Sequence, residues 1–137
     1  MTEPKKVLAQ LDWIHAMVFA AGKPGAPRVV LDGDGVEGPS PVIMLACAAG
    51  GCSGADVVSI LEKKRVKLDS FRVEVGGKRA EDYPKRFLEI WLRFTLSGKG
   101  LTEAAAKQAV ELSVTKYCSV MLSLNPDIKV TTEIVIE

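Results

Sequence analysis

Residues 87 to 96 alternate without interruption: Leu88, Ile90, Leu92, Phe94 and Leu96 fall on one side, and Phe87, Glu89, Trp91, Arg93 and Thr95 on the other. A period of two sends successive side chains to opposite faces of a pleated strand, so this segment is expected to be a strand with one buried face. Phe71, Val73 and Val75 alternate with Arg72 and Glu74 in the same way, and Gly76-Gly77 reads as the turn that ends that strand. At the far end of the chain Ile128, Val130, Thr132, Ile134 and Ile136 alternate with Lys129, Thr131, Glu133 and Glu137, giving a further strand. Near the start, Trp13, His15, Met17 and Phe19 alternate with Ile14, Ala16 and Val18, which predicts a single strand across Trp13 to Phe19 with both faces largely covered. The loop Gly22 to Pro27 ends it and Arg28 to Leu31 forms a second short strand. Asp32-Gly33-Asp34-Gly35 then supplies residues able to take positive φ, and these two strands are expected to form a hairpin.

Two stretches change to helical spacing. Ser40-Pro41 is a helix start, because a serine oxygen can accept from first-turn amides and proline is pre-set for the first helical position. The helix is expected to run to about Val66, and it carries Gly50, Gly51 and Gly54 beside Cys52 and Ser53. An interior glycine costs a helix about 1 kcal/mol relative to alanine. Those glycines therefore predict close packing against a second helix or a subunit mate. Thr102 can cap the second helix, whose Ala106, Val110, Val114, Tyr117, Cys118 and Met121 follow one face, and Asn125-Pro126 closes it. The resulting order is ββαββαβ, an α+β arrangement with no internal repeat, and at 137 residues it is read as a single domain spanning 1–137.

Composition narrows the function classes. Apolar residues make up 47% of the chain, enough for a packed interior, and 18 basic residues against 17 acidic ones leave a net charge of +1. No global field draws in a nucleic-acid backbone or an anionic membrane, so neither is expected as a partner. The basic run Lys63, Lys64, Arg65, Lys67 ends the first predicted helix, where cations complement the helix dipole. Asp12 and His15 interrupt the apolar stretch that follows Lys5 and Lys6, so it is not read as an export signal. The uncharged run Val42 to Ala55 stops at Asp56, short of the roughly 20 apolar residues needed to span a bilayer, and reads as a buried helix. The chain is accordingly expected in the cytoplasm, where three cysteines point to reactive or buried thiols rather than a disulfide framework.

Of those cysteines, Cys47 lies five residues before Cys52, about 140° around a helix, and is assigned to the core. Cys52 and Cys118 each fit two readings, a small buried filler or a reactive thiol. His15 has no partner at metal-ligand spacing and is read as a hydrogen-bonded structural residue. Trp13 and Trp91 are read as core or interface aromatics. Asp56 reads either as an ion-pair partner or as the polar end of the apolar run.

The pattern Gly38-Pro39-Ser40-Pro41, then Gly50-Gly51-Cys52 with Asp56-Val57-Val58 on the following helix, then Tyr117-Cys118-Ser119-Val120 late in a second helix, resembles the OsmC/Ohr family and more narrowly its YhfA-like branch. The resemblance implies an OsmC-like intertwined homodimer with long central helices enclosed by sheets from both chains. It also implies thiol-dependent reduction of organic hydroperoxides: the first-helix cysteine attacks the peroxide, becomes a sulfenic acid, and is resolved by the second-helix cysteine. Those roles fall on Cys52 and Cys118. A dithiol or thiol-protein reductant would restore the pair, and the resemblance implies no metal or organic cofactor. The pattern departs from the family in one respect. Peroxidatic members place a glutamate about three helical turns before the first cysteine, to orient an arginine that stabilises the thiolate; this chain has Val42 and Ile43 there. Arg28 or a residue of the other subunit is then the source of positive charge, and Glu37 is a candidate for the missing acid. Asp56, one turn after Cys52, would raise the thiol pKa unless paired. The alternative reading is a non-catalytic dimer of the same fold that binds an apolar small molecule or a protein in its interface cleft.

Overall fold

The computed structural model describes residues 6–137, so Lys5 of the discarded export signal lies outside the described residues. The chain divides into two compact units, one ending at Leu45 and the other beginning at Ala46.

The first unit contains a three-stranded antiparallel sheet: β1 (Gln10–His15), β2 (Val18–Gly22) and β3 (Val29–Asp32), in that spatial order. The expected single strand across Trp13 to Phe19 is therefore two strands folded on each other, with Trp13 opposite Phe19. The chain reverses at Ala16, which takes a positive φ of 46°, and the Trp13 indole donates to the Ala16 carbonyl at 2.8 Å. Alternation alone cannot reveal such a turn, because no glycine, asparagine or proline marks it. The expected pairing of β2 with β3 is present. Beyond β3 the Asp32 carboxylate accepts from the backbone N–H groups of Asp34, Val36 and Glu37 at 2.9, 3.2 and 2.9 Å, folding the loop around itself.

Helix α1 (Pro41–Lys63) starts at Ser40, whose Oγ accepts from the Ile43 N–H at 3.3 Å. It ends where Arg65 takes a left-handed φ of 62° and the Val66 N–H reaches back to the Leu61 carbonyl at 3.0 Å, a closure that satisfies carbonyls left open by the last turn.

In the second unit β4 (Lys67–Arg79) and β5 (Phe87–Lys99) are antiparallel and β6 (Lys129–Ile136) lies parallel to β5, giving the order β4-β5-β6. Parallel pairing of β5 and β6 requires a crossover, which is supplied by α2 (Glu103–Leu112), a π-helical turn (Ser113–Tyr117) and the short α3 (Ser119–Ser123). Counting the extra N-terminal strand and the broken second helix, the order ββαββαβ becomes βββαββααβ, and the class remains α+β.

The alternation read in β5 is realised: Ile90, Leu92, Phe94 and Leu96 are buried, and they share one core with Val57, Leu61, Val110, Cys118 and Met121. On its opposite face Arg93 stands in register between Glu74 and Glu133 and pairs with both, at 3.5 and 3.0 Å. Gly76-Gly77 is not a turn: β4 runs straight through it, opposite Trp91 and Ile90. The reason is packing, since a Cβ at Gly76 would fall within the Trp91 ring. Two of the α1 glycines pack on a strand, not on the second helix that was one of the two expected partners. Gly50 and Gly54 face Val75 and Val73 of β4, with a Cβ at Gly50 only 2.9 Å from Val75, so the close approach is to a strand rather than to a second helix.

Candidate thiol site

Cys52 and Asp56 are one helical turn apart on α1 and so project from the same side. The side facing the sheet is set by Ala49, Gly50, Ser53, Gly54, Val57 and Leu61, all buried, which leaves Cys52 and Asp56 half-buried at its margin. That margin meets the crossover from β5 to β6.

The expectation that Cys118 sits within the second helix is corrected. Helix α2 begins at Thr102, whose Oγ1 accepts from the Ala105 N–H at 3.1 Å as expected, but α-helical bonding stops at Leu112. The Cys118 N–H then bonds the Ser113 carbonyl at 2.8 Å, five residues back, closing a π turn. In an uninterrupted α-helix residues five apart diverge by about 140°; the wider turn lets Ser113 and Cys118 face the same way. Cys118 itself has an extended backbone and opens α3, its sulfur accepting from the Met121 N–H at 3.4 Å.

The two sulfurs and a carboxylate oxygen of Asp56 all lie within 4.8 Å of one another. Cys52 and Cys118, chosen from sequence, are thus brought together, and Asp56 joins them. Ser113 Oγ donates to Asp56 Oδ2 at 2.9 Å and shares a 3.0 Å hydrogen bond with Ser53 Oγ. Both serines are fully buried, so these bonds give an apolar interior its polar partners and hold the carboxylate in place. Among the described residues Asp56 forms no ion pair. Cys118 is completely buried, and that burial pushes its thiol pKa upward; the neighbouring Cys52 adds to the rise, while the Met121 N–H opposes it. Beyond Asp56 a cavity of about 520 Å³ extends along α1 and α2 between Ser59, Ile60, Lys63, Gln108, Leu112 and Tyr117.

The other residues singled out in the sequence lie elsewhere. Cys47 is exposed, not in the core: the buried part of α1 begins only at Ala49, and Cys47 lies N-terminal to it. His15 is hydrogen-bonded as expected, and its partner is Glu37, at 3.1 Å. Arg28 binds Asp12 at 2.8 Å and the Ala20 carbonyl at 3.2 Å. Tyr117, placed on the apolar helix face by spacing, is half exposed on the π turn. Ser53 and Ser113 were missed; the signal was available, since each interrupts an otherwise apolar helix face with a short hydroxyl.

The sequence pattern described as "OsmC-like protein" matches residues 32–133. The chain belongs to the OsmC-like family. It is 39% identical over 124 residues to Protein YhfA of Escherichia coli K12, covering 90% of this chain and 92% of that one. Its fold is similar to a hypothetical protein of Aquifex aeolicus VF5, with a TM-score of 0.81, 30% identity and 99% of each chain covered. It is also similar to the organic hydroperoxide resistance protein OhrB of Bacillus subtilis, with a TM-score of 0.60, 15% identity, and 93% of this chain and 98% of that one covered. This OsmC-like chain thus shares its fold with proteins of peroxide resistance, and at 15% identity the OhrB comparison speaks for the fold alone.

Proposed function

We propose that this OsmC-like domain, spanning 1–137, reduces organic hydroperoxides by thiol chemistry, with Cys52 as nucleophile and Cys118 as resolving thiol. The observation that supports it is the convergence of both sulfurs and the Asp56 carboxylate within 4.8 Å. Half-buried Cys52 is the sulfur a substrate can reach, and fully buried Cys118 is protected until its partner is oxidised.

The Cys52 thiolate attacks the outer oxygen of the hydroperoxide, the O–O bond breaks, and the alkoxide takes a proton and leaves as an alcohol. The Cys52 sulfenic acid is then attacked by Cys118, water departs, and a disulfide forms. A disulfide needs sulfurs about 2.05 Å apart, so side-chain movement of less than about 3 Å closes the pair. A dithiol or thiol-protein reductant restores both thiols by exchange. Asp56, steadied by Ser113, is within reach to take the Cys52 thiol proton before it passes to the alkoxide and the Cys118 proton before it leaves in water. The cavity beyond Asp56, with Ile60, Leu112 and Tyr117 in its walls, suits an apolar substrate chain.

The functional unit in this reading is a homodimer in the reducing cytoplasm. Ala48, Gly51, Ala55 and Val58 form an exposed, uncharged stripe along α1, and Gly51 faces open space in the single chain. A helix apolar on both faces is buried on both, so this stripe suits a subunit mate. Replacement Cys52→Ser is expected to abolish turnover of an organic hydroperoxide such as cumene hydroperoxide while leaving the dimer intact. Equal turnover in wild type and variant rejects the peroxidase reading in favour of a binding dimer.

A further inference from the structure

We propose that Cys52, Cys118 and Asp56 form a three-ligand site for one zinc-class divalent ion, available only while both cysteines are reduced. The inference shares its side chains with the peroxidase reading and needs from it only the dithiol state. Two thiolates and a carboxylate, Cys52 and Asp56 from one turn of α1 and Cys118 from the head of α3, make a donor set for a thiophilic ion of tetrahedral preference. Zn–S bonds of about 2.3 Å and Zn–O bonds of about 2.0–2.2 Å place ligand atoms roughly 3.5–3.8 Å apart around such an ion. The three atoms already lie within 4.8 Å of one another, so rotamer adjustments of about an ångström complete the geometry.

The surroundings fit as well. Ser113 Oγ holds Asp56 Oδ2 at 2.9 Å and is itself held by Ser53, which is the kind of hydrogen-bonded support that orients a ligating carboxylate. Cys118 is fixed at the head of α3 with its sulfur bonded to the Met121 N–H. Cys52 and Asp56 are only half-buried, so the ion has an entry path and its fourth position is open to water. Binding one ion displaces two thiol protons to solvent. Disulfide formation removes two of the three ligands and must release the ion, and a bound ion in turn keeps Cys52 from attacking peroxide. The site thus couples metal occupancy to the redox state of the pair.

The test uses the full chain, reduced and kept anaerobic, titrated with Co²⁺ and then with Zn²⁺ against a chromophoric chelator. The expected result is one Co²⁺ per chain with a thiolate-to-metal charge-transfer band, displaced by Zn²⁺ and absent from the disulfide form. The band should be lost in Cys52→Ser and Cys118→Ser and kept in Cys47→Ser. Zn²⁺ affinity should fall roughly tenfold or more in Asp56→Asn, at least the loss seen when an outer-sphere partner is removed. No band in the reduced wild type, an unchanged band in Cys118→Ser, or wild-type Zn²⁺ affinity in Asp56→Asn overturns the site. Zinc binding without hydroperoxide turnover supports it while rejecting the peroxidase reading; turnover by a chain that binds no zinc overturns it alone.

Discussion

Asp32 is buried, and its carboxylate accepts three backbone N–H groups of the loop it precedes. Those bonds, led by the one from Glu37, hold its pKa below the ordinary value of 3.8. A carboxyl group depressed by folding contributes stability above its unfolded pKa and loses it as pH falls through the folded value. Stability is therefore expected to decline below about pH 4, the unfolded carboxyl range. The variant Asp32→Asn should melt at lower temperature than wild type at neutral pH and show a shallower decline with acid, both read from thermal unfolding across a pH series. At the thiols the sequence carried much of the answer. Cys52 and Asp56 fall one turn apart by simple counting, whereas the pairing of Cys118 with Cys52 came from the family resemblance. The serine bridge that steadies Asp56 could not be read, because Ser53 and Ser113 are sixty residues apart and only the packed core makes them neighbours.

Elements show where pattern and packing part company. β5 was legible because a strand buried on one face announces itself by alternation. The Gly76-Gly77 pair was misread, since two glycines signal a turn as readily as a site of close approach. Here Trp91 lies across Gly76, with the Arg93 guanidinium 5.4 Å from the ring centre, so the glycine is a seat for an aromatic of the neighbouring strand. The substitution Gly76→Val is expected to displace the indole and to cost about 1–3 kcal/mol, the range for overpacking. Denaturant unfolding should give the loss, and a change in tryptophan fluorescence should report the displaced ring. The second helix was misread for a different reason. Residues 103–123 keep an apolar spacing that any helical wheel accepts, but i to i−5 hydrogen bonding over Ser113–Tyr117 inserts a residue into the turn. That insertion faces Ser113 and Cys118 alike, and the site exists because of it.

At the scale of the whole molecule, the uncharged outer stripe of α1 carries the expectation of a dimer. Val58 is 42% exposed in the single chain and lies on that stripe. The substitution Val58→Asp would place an unpaired carboxylate in the proposed contact, and burying such a charge is costly. Sedimentation equilibrium should find wild type at twice the 14.7 kDa chain mass and Val58→Asp shifted toward the single chain. A wild type that sediments as a single chain at all concentrations rejects the dimer. The sequence by itself determined the α+β class, the long first helix and the buried face of β5, since each follows from local periodicity or capping chemistry, while Cys52 and Cys118 were singled out by the resemblance to the OsmC/Ohr family. Tertiary structure decided the reversal at Ala16, the straight run through Gly76-Gly77, the exposure of Cys47 and the π turn that brings Cys118 to Cys52 and Asp56. Those outcomes depend on atoms far apart along the chain competing for the same space, and a one-dimensional pattern records the competitors without recording which of them wins.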